Sequence, residues 1–141
     1  MRDTLEKIER FIDHHHLLTL ATQGEALWCC SLFYAYDPEE VAFIVASDPQ
    51  TEHMGNVADH PDVAGTVALE TKTVGKIQGI QFAGEMSRSV DRRERELYLQ
   101  AYPYARIMDP ILWRIRIHRC KMTDNTLGFG KKIMWRREFS D

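Results

Sequence analysis

FIVASDPQTEHMGNVADHPDVAGTV, residues 43–67, is the stretch whose reading decides the fold. Phe43, Ile44, Val45 and Ala46 form a short apolar run that reads as a strand. Asp48-Pro49 stops it, because proline lacks a ladder N–H and its fixed φ suits a first helical turn. Asp48 is the expected N-cap. Residues 51–59 make about two helical turns with Met54, Val57 and Ala58 on one face. Pro61 ends them, and residues 63–69 resume as a strand. A loop feeding a helix N-terminus leaves N–H groups free to meet an anion. An ordinary connection without a ligand accounts for this segment equally well.

Outward from this segment, composition narrows the field. The chain has 141 residues, the size of one domain, and 44% hydrophobic with 28% charged residues is ordinary for a globular fold. A net charge of -3 argues against a surface built for nucleic acid. No apolar run approaches the roughly 20 residues of a membrane span. The start, MRDTLEKIER, is charged and lacks an apolar signal region. Cys29 and Cys30 are adjacent and Cys120 makes the count odd, which disfavours a disulfide framework and suits a reducing cytoplasm.

Before the central segment, Asp3-x-x-Glu6 has the form of a capping box, and Leu5, Ile8, Phe11 and Ile12 recur at helical spacing, predicting a helix over 4–13. His14-His15-His16 follows, but neighbouring side chains diverge and no Cys or carboxylate stands at ligand spacing, so metal binding is disfavoured. Residues 17–22 read as a strand and Gln23-Gly24-Glu25 as a turn. Residues 26–36, ALWCCSLFYAY, are apolar on both faces: Leu27, Cys29, Phe33 and Ala35 on one, Trp28, Cys30, Leu32, Tyr34 and Tyr36 on the other. Such a strand is covered on both sides, by the core and by a helix, a ligand or a partner subunit.

After the central segment, residues 76–90 read as a long strand in which Gly79 and Gly84 mark a bulge or a close approach. Asp91-x-x-Glu94 is a second capping box, opening a helix that carries Leu97, Tyr98, Ala101 and Tyr102 and closes at Pro103. Residues 111–122 alternate, with Ile111, Trp113, Ile115 and Ile117 inward and Arg114, Arg116 and His118 outward. Residues 123–130 form a loop and 131–138 a last strand. Roughly six or seven strands with few helices predict a mainly β fold, an antiparallel barrel with attached helices.

No catalytic motif is legible. The sequence lacks GxSxG, HExxH and CxxC, and Gly128-Phe129-Gly130-Lys131 lacks the spacing of a nucleotide phosphate loop. Cys29 and Cys30 fall in a strand expected to be buried, without a cationic neighbour, and read as packing residues.

Taken together, W-x-x-S-x-F-Y-x-Y-D, F-x-V-x-S-x-x-x-T-x-H, H-P-x-V-A-G-T-V and I-x-G-I-Q-F-x-G resemble the pyridoxamine 5'-phosphate oxidase-like, FMN-binding split-barrel superfamily. The ending T-D-N-T-L-G-F-G-K-K-I-M-W, residues 123–135, is similar to a small bacterial branch of it. The resemblance covers nearly the whole chain. It implies a single split-barrel domain over 1–141, of six or seven antiparallel strands, that forms a homodimer with FMN at the subunit interface. It places the backbone of Cys29, Cys30, Ser31 and Leu32 along the flavin, continued by Ile44, Val45 and Ser47. It sets Thr51 and His53 at the phosphate, Gln78 or Gln81 at the ring edge, and Lys131 within reach from a neighbouring strand or the partner.

Two departures stand out. Glu52 occupies a position where a cation is usual, and Asp48 adds a second acid. A like charge about 6 Å from the phosphate opposes binding by about 2–3 kcal/mol at an effective dielectric near 20. The phosphate is then held weakly, or its charge is met by Lys131 or Arg88. The substrate-phosphate residues of the true oxidase are absent, which argues against pyridoxine phosphate oxidation. Three readings follow: an FMN-binding homodimer with oxidoreductase chemistry, a haem-binding split barrel with an axial histidine from His14, His15, His16, His53, His60 or His118, and a non-catalytic dimer binding another anionic metabolite.

Overall fold

A computed structural model describes residues 2–138. The chain runs α1 (Arg2–Asp13), β1 (Leu17–Thr22), β2 (Trp28–Asp37), β3 (Ala42–Ala46), α2 (Glu52–Asp59), β4 (Asp62–Ala68), β5 (Gln78–Arg88), α3 (Arg92–Ala101), α4 (Ala105–Met108), β6 (Leu112–Asp124) and β7 (Lys132–Arg136). The strands lie in the order β3-β2-β1-β4-β5-β6-β7, and β3 also pairs with β6. Six antiparallel strands thus close a barrel and β7 extends its wall, which is the split-barrel architecture expected from the sequence.

Leu18, Leu20, Phe43, Val45, Ile80, Met86, Ile115 and Ile117 fill the interior. Helix α1 adds Ile8, Phe11 and Ile12 to this core and is pinned by two tyrosines of β2. Tyr34 Oη donates to the Ile12 carbonyl at 2.7 Å, and Tyr36 Oη to Glu9 at 2.5 Å. Burial raises Glu9, and the Tyr36 hydroxyl opposes that shift.

Between Ala83 and Gly84 the β5–β6 register slips, so that Ala83 faces Arg119 while Gly84 faces Ile117. His118 is the extra residue of this bulge. The inward set therefore switches from Ile115 and Ile117 to Cys120 and Met122, which simple alternation does not foresee. Gly84 fits the bulge because a Cβ there would lie 2.2 Å from the Arg116 carbonyl oxygen.

Several local expectations change. Asp3 lies within the first turn of α1 rather than at its cap, where its charge complements the helix dipole. Thr51, not Asp48, caps α2, and Asp48 instead accepts the Gln50 N–H at 2.8 Å, closing the turn before the helix. Ala58 is exposed and His53 takes the buried place beside Met54 and Val57. Asp91 does cap α3, but Glu94 makes no reciprocal cap. Its carboxylate is buried and accepts from Arg114 Nε at 2.9 and 3.1 Å and from Ser89 Oγ at 2.7 Å.

Alongside it, the buried Asp37 carboxylate takes both terminal nitrogens of Arg93, at 2.6 and 2.7 Å. The Glu39 N–H adds a bond at 3.0 Å. Burial alone would raise Asp37; Arg93 and Glu94 outweigh it and hold the carboxyl below its usual range. Burial and the neighbouring Asp37 push Glu94 upward. With Tyr98 and Leu99 packed on Ala35, Ile44 and Leu112, this cluster docks α3 on the barrel.

Candidate functional site

β2 is paired along only part of one side. Over its whole first half it is laddered to β1, from Thr22↔Trp28 to Leu17↔Phe33. Its pairing to β3 begins only at Tyr34↔Val45, because β3 ends at Ala46. The Tyr34 N–H donates to the His16 carbonyl on the β1 side. Antiparallel alternation then turns Leu32 and Cys30 to β1, and turns the N–H and C=O of Ser31 and Cys29 to the other edge. Among the described residues those groups have no backbone partner across that edge. The side chains follow the same period: Cys29 and Ser31 are exposed, whereas Cys30 and Leu32 are half-buried against the core. Burial pushes the Cys30 thiol upward, so it is neutral at pH 7.

The expectation that this strand is covered on both sides thus divides. Its second half is covered, with Ala35 beneath α3. Its first half is open, with Trp28 50% and Phe33 46% exposed. Cys29, expected to be buried, is exposed with it.

At the end of β3 the chain turns into a polar corner. Ser47 Oγ lies 2.7 Å from His53 Nε2, and Thr51 Oγ1 lies 3.3 Å from the same nitrogen. Thr51 Oγ1 also donates to the Asp48 carbonyl at 2.8 Å, closing the loop. His53 is 8% exposed, and burial lowers its pKa, so the ring is neutral at pH 7 and contributes no cation. Val45 points its side chain into the core, leaving only its backbone near the corner. Trp113 completes the corner, its indole N–H donating to the Ser47 carbonyl at 2.9 Å. The sequence shows Trp113 only as an inward residue; nothing local links it to Ser47. Arg88, opposite Trp113 on β5, holds its guanidinium over the indole, 5.8 Å from the ring centroid.

The remaining candidates lie elsewhere in the chain. Gln78 pairs with Asp124, and Lys131 precedes β7 at that same end of β6. Eleven residues, roughly 35 Å of strand, separate Asp124 from Trp113. Gln78 instead lines a cleft with Lys7, Arg10, Phe11, His14 and Met122. Gln81 is exposed on the outer wall, in one transverse row with Ser31, Thr19, Thr66 and Lys121. Three strand spacings, roughly 14 Å, separate it from Ser31.

The three consecutive histidines diverge. His14 Nδ1 is hydrogen-bonded to the Arg10 carbonyl, His15 packs on Phe11, and His16 lies 5.9 Å from Phe33. No group of three His, Cys, Asp or Glu among the described residues is arranged to hold a metal ion. No helix among them is long and apolar enough to cross a membrane.

Set against known proteins, the chain is 46% identical over 140 residues to a UPF0306 protein of Cronobacter sakazakii, spanning 96% of both chains. It is 40% identical over 139 residues to the UPF0306 protein YhbP of Escherichia coli, spanning 96% of this chain and 95% of the relative. No family model matches. Among solved structures, a haem-binding protein from Mycobacterium smegmatis superposes with a TM-score of 0.72 at 18% identity, over 89% of this chain and 54% of the other. A FAD-binding protein from Mesorhizobium loti superposes at 0.70 and 13% identity, over 84% of this chain and 90% of the other. ChuZ of Campylobacter jejuni superposes at 0.72 and 12% identity, over 96% of this chain and 60% of the other. At such identities these likenesses show the fold alone.

Proposed function

The chain belongs to the UPF0306 family, and we propose that it binds FMN as a homodimer, with the flavin along the open β2 edge and the phosphate at the Ser47–His53 corner. The observation that carries this reading is the half-paired strand. Cys29 and Ser31 turn backbone donors and acceptors toward an edge that no other strand among the described residues occupies, next to a corner of two hydroxyls. Unpaired strand groups are what the polar rim of a planar heterocycle can satisfy. The fold likeness to a FAD-binding protein agrees with it.

When bound, FMN supplies hydride exchange at its ring N5. The chain's own residues bind and orient: Cys29 and Ser31 through backbone groups, Ser47 through its hydroxyl, and Thr51 by closing the loop that carries Ser47. The chemistry of a flavin-dependent oxidoreductase of this kind would rest on the cofactor.

The second copy accounts for the outer wall. Thr19, Ala21, Ser31, Ala64, Thr66 and Ala83 are small and uncharged, and Leu17 and Phe33 are 47% and 46% exposed beside them. A partner packed on this wall would bring its Gln81 toward the flavin edge, which the Gln81 of the same protomer does not adjoin. Lys131 would likewise act only from the partner.

One observation favours a haem reading: His16 stands beside the half-exposed Phe33 at the middle of β2, and the fold is shared with a haem-binding protein. The absorbance spectrum of freshly purified protein separates the two. The expected result is flavin absorption, or quenching of FMN fluorescence on titration, in a particle of two chains. A Soret band, lost on His16→Ala, would replace flavin by haem. A colourless monomer that leaves FMN fluorescence unchanged would contradict both.

A further inference from the structure

Phosphate recognition at the Ser47–His53 corner lacks one component. Its two acids, Asp48 and Glu52, are exposed, and its histidine is buried and neutral. Within its hydrogen-bond set there is no cation. Lys131 of the same protomer sits at the far end of β6. Arg88 is differently placed. The register Arg88↔Trp113↔Val45 sets it across β6 from the end of β3. Its guanidinium covers the Trp113 ring, whose N–H holds the Ser47 carbonyl, and Ser47 in turn holds His53. No carboxylate is within ion-pair distance of Arg88 among the described residues, whereas Arg93, Arg95, Arg106 and Arg114 are all paired.

We propose that Arg88, held over Trp113 beside the Ser47–His53 corner, is the residue that recognises the ligand's phosphate and gives the site its preference for FMN over riboflavin. The proposal rests on the flavin reading above. An arginine on an aromatic face keeps its N–H edge free for two parallel bonds to phosphate oxygens. It also offsets the two acids, explaining how the corner takes a dianion despite Glu52.

The test compares FMN and riboflavin affinity, by fluorescence quenching, in wild type, Arg88→Ala, Arg88→Lys and Lys72→Ala. Riboflavin shares the ring and ribityl chain and lacks the phosphate. Arg88→Ala should weaken FMN by about 10- to 100-fold and leave riboflavin unchanged. Arg88→Lys should restore much of that loss, and Lys72→Ala, in the exposed turn before β5, should bind as wild type. The proposal alone is overturned if wild type takes both flavins equally, if Arg88→Ala keeps the wild-type preference, or if Lys72→Ala loses it instead. Wild type that binds neither flavin overturns the functional reading and this inference with it.

Discussion

β3 is bracketed by two polar clusters built from similar residues. Before it, Asp37 and Glu94 are buried with Arg93, Arg114 and Ser89, two acids against two guanidiniums, with backbone N–H groups on the remaining lone pairs. After it, Ser47, Thr51 and His53 share one ring nitrogen while Asp48 and Glu52 face water. The first cluster is complete within the chain and fastens α3. The second has hydroxyls, an adjoining strand edge without a strand partner among the described residues, and two exposed acids. Closed satisfaction marks scaffold, and incomplete satisfaction at a surface marks the place to look for binding.

That contrast can be broken by substitution. Asp37→Ala should cost about 2–3 kcal/mol, because it takes away the buried acceptor of the Glu39 and Glu40 N–H groups, and urea unfolding would read the loss. Ser47→Ala at the other cluster should cost less than about 1 kcal/mol, since His53 keeps Thr51 as a neighbour, while FMN affinity falls. Equal stability losses at the two sites would remove the distinction between them.

A smaller effect sharpens the first cluster. Glu94 is raised above the usual 4.5 by burial and by Asp37, so its contribution is full below that value and is lost as pH rises through its folded pKa. Asp37 is lowered below 3.8, so its contribution is present above that value and is lost as pH falls through its folded pKa. Of these two acids only Glu94 contributes a pH dependence between pH 5 and pH 7, and Glu94→Gln removes that contribution. The urea midpoint of wild type relative to Glu94→Gln should therefore be higher at pH 5 than at pH 7. A constant difference would mean that Glu94 does not titrate with folding.

Much of the barrel is legible in order along the chain. The break at Asp48-Pro49, the two apolar faces of β2 and the alternation of Trp113, Ile115 and Ile117 all follow from local periodicity. What fails is what depends on distant partners. Glu94 has the spacing of a helix cap, yet Arg114 from β6 draws it into the interior. His53 has the position of a surface cation, but α2 turns it inward to Ser47. Gln78 and Lys131 match family positions, but only the register along β6 reveals that they stand at its other end. The Trp113–Ser47 bond joins residues 66 apart, beyond any local pattern.

Amide hydrogen exchange along β2, with and without FMN, tests the open edge most directly. The account predicts slow exchange at Cys30 and Leu32 in both states, and exchange at Ser31 and Cys29 that slows when FMN is added. Ser31 and Cys29 amides that FMN leaves unchanged would contradict it.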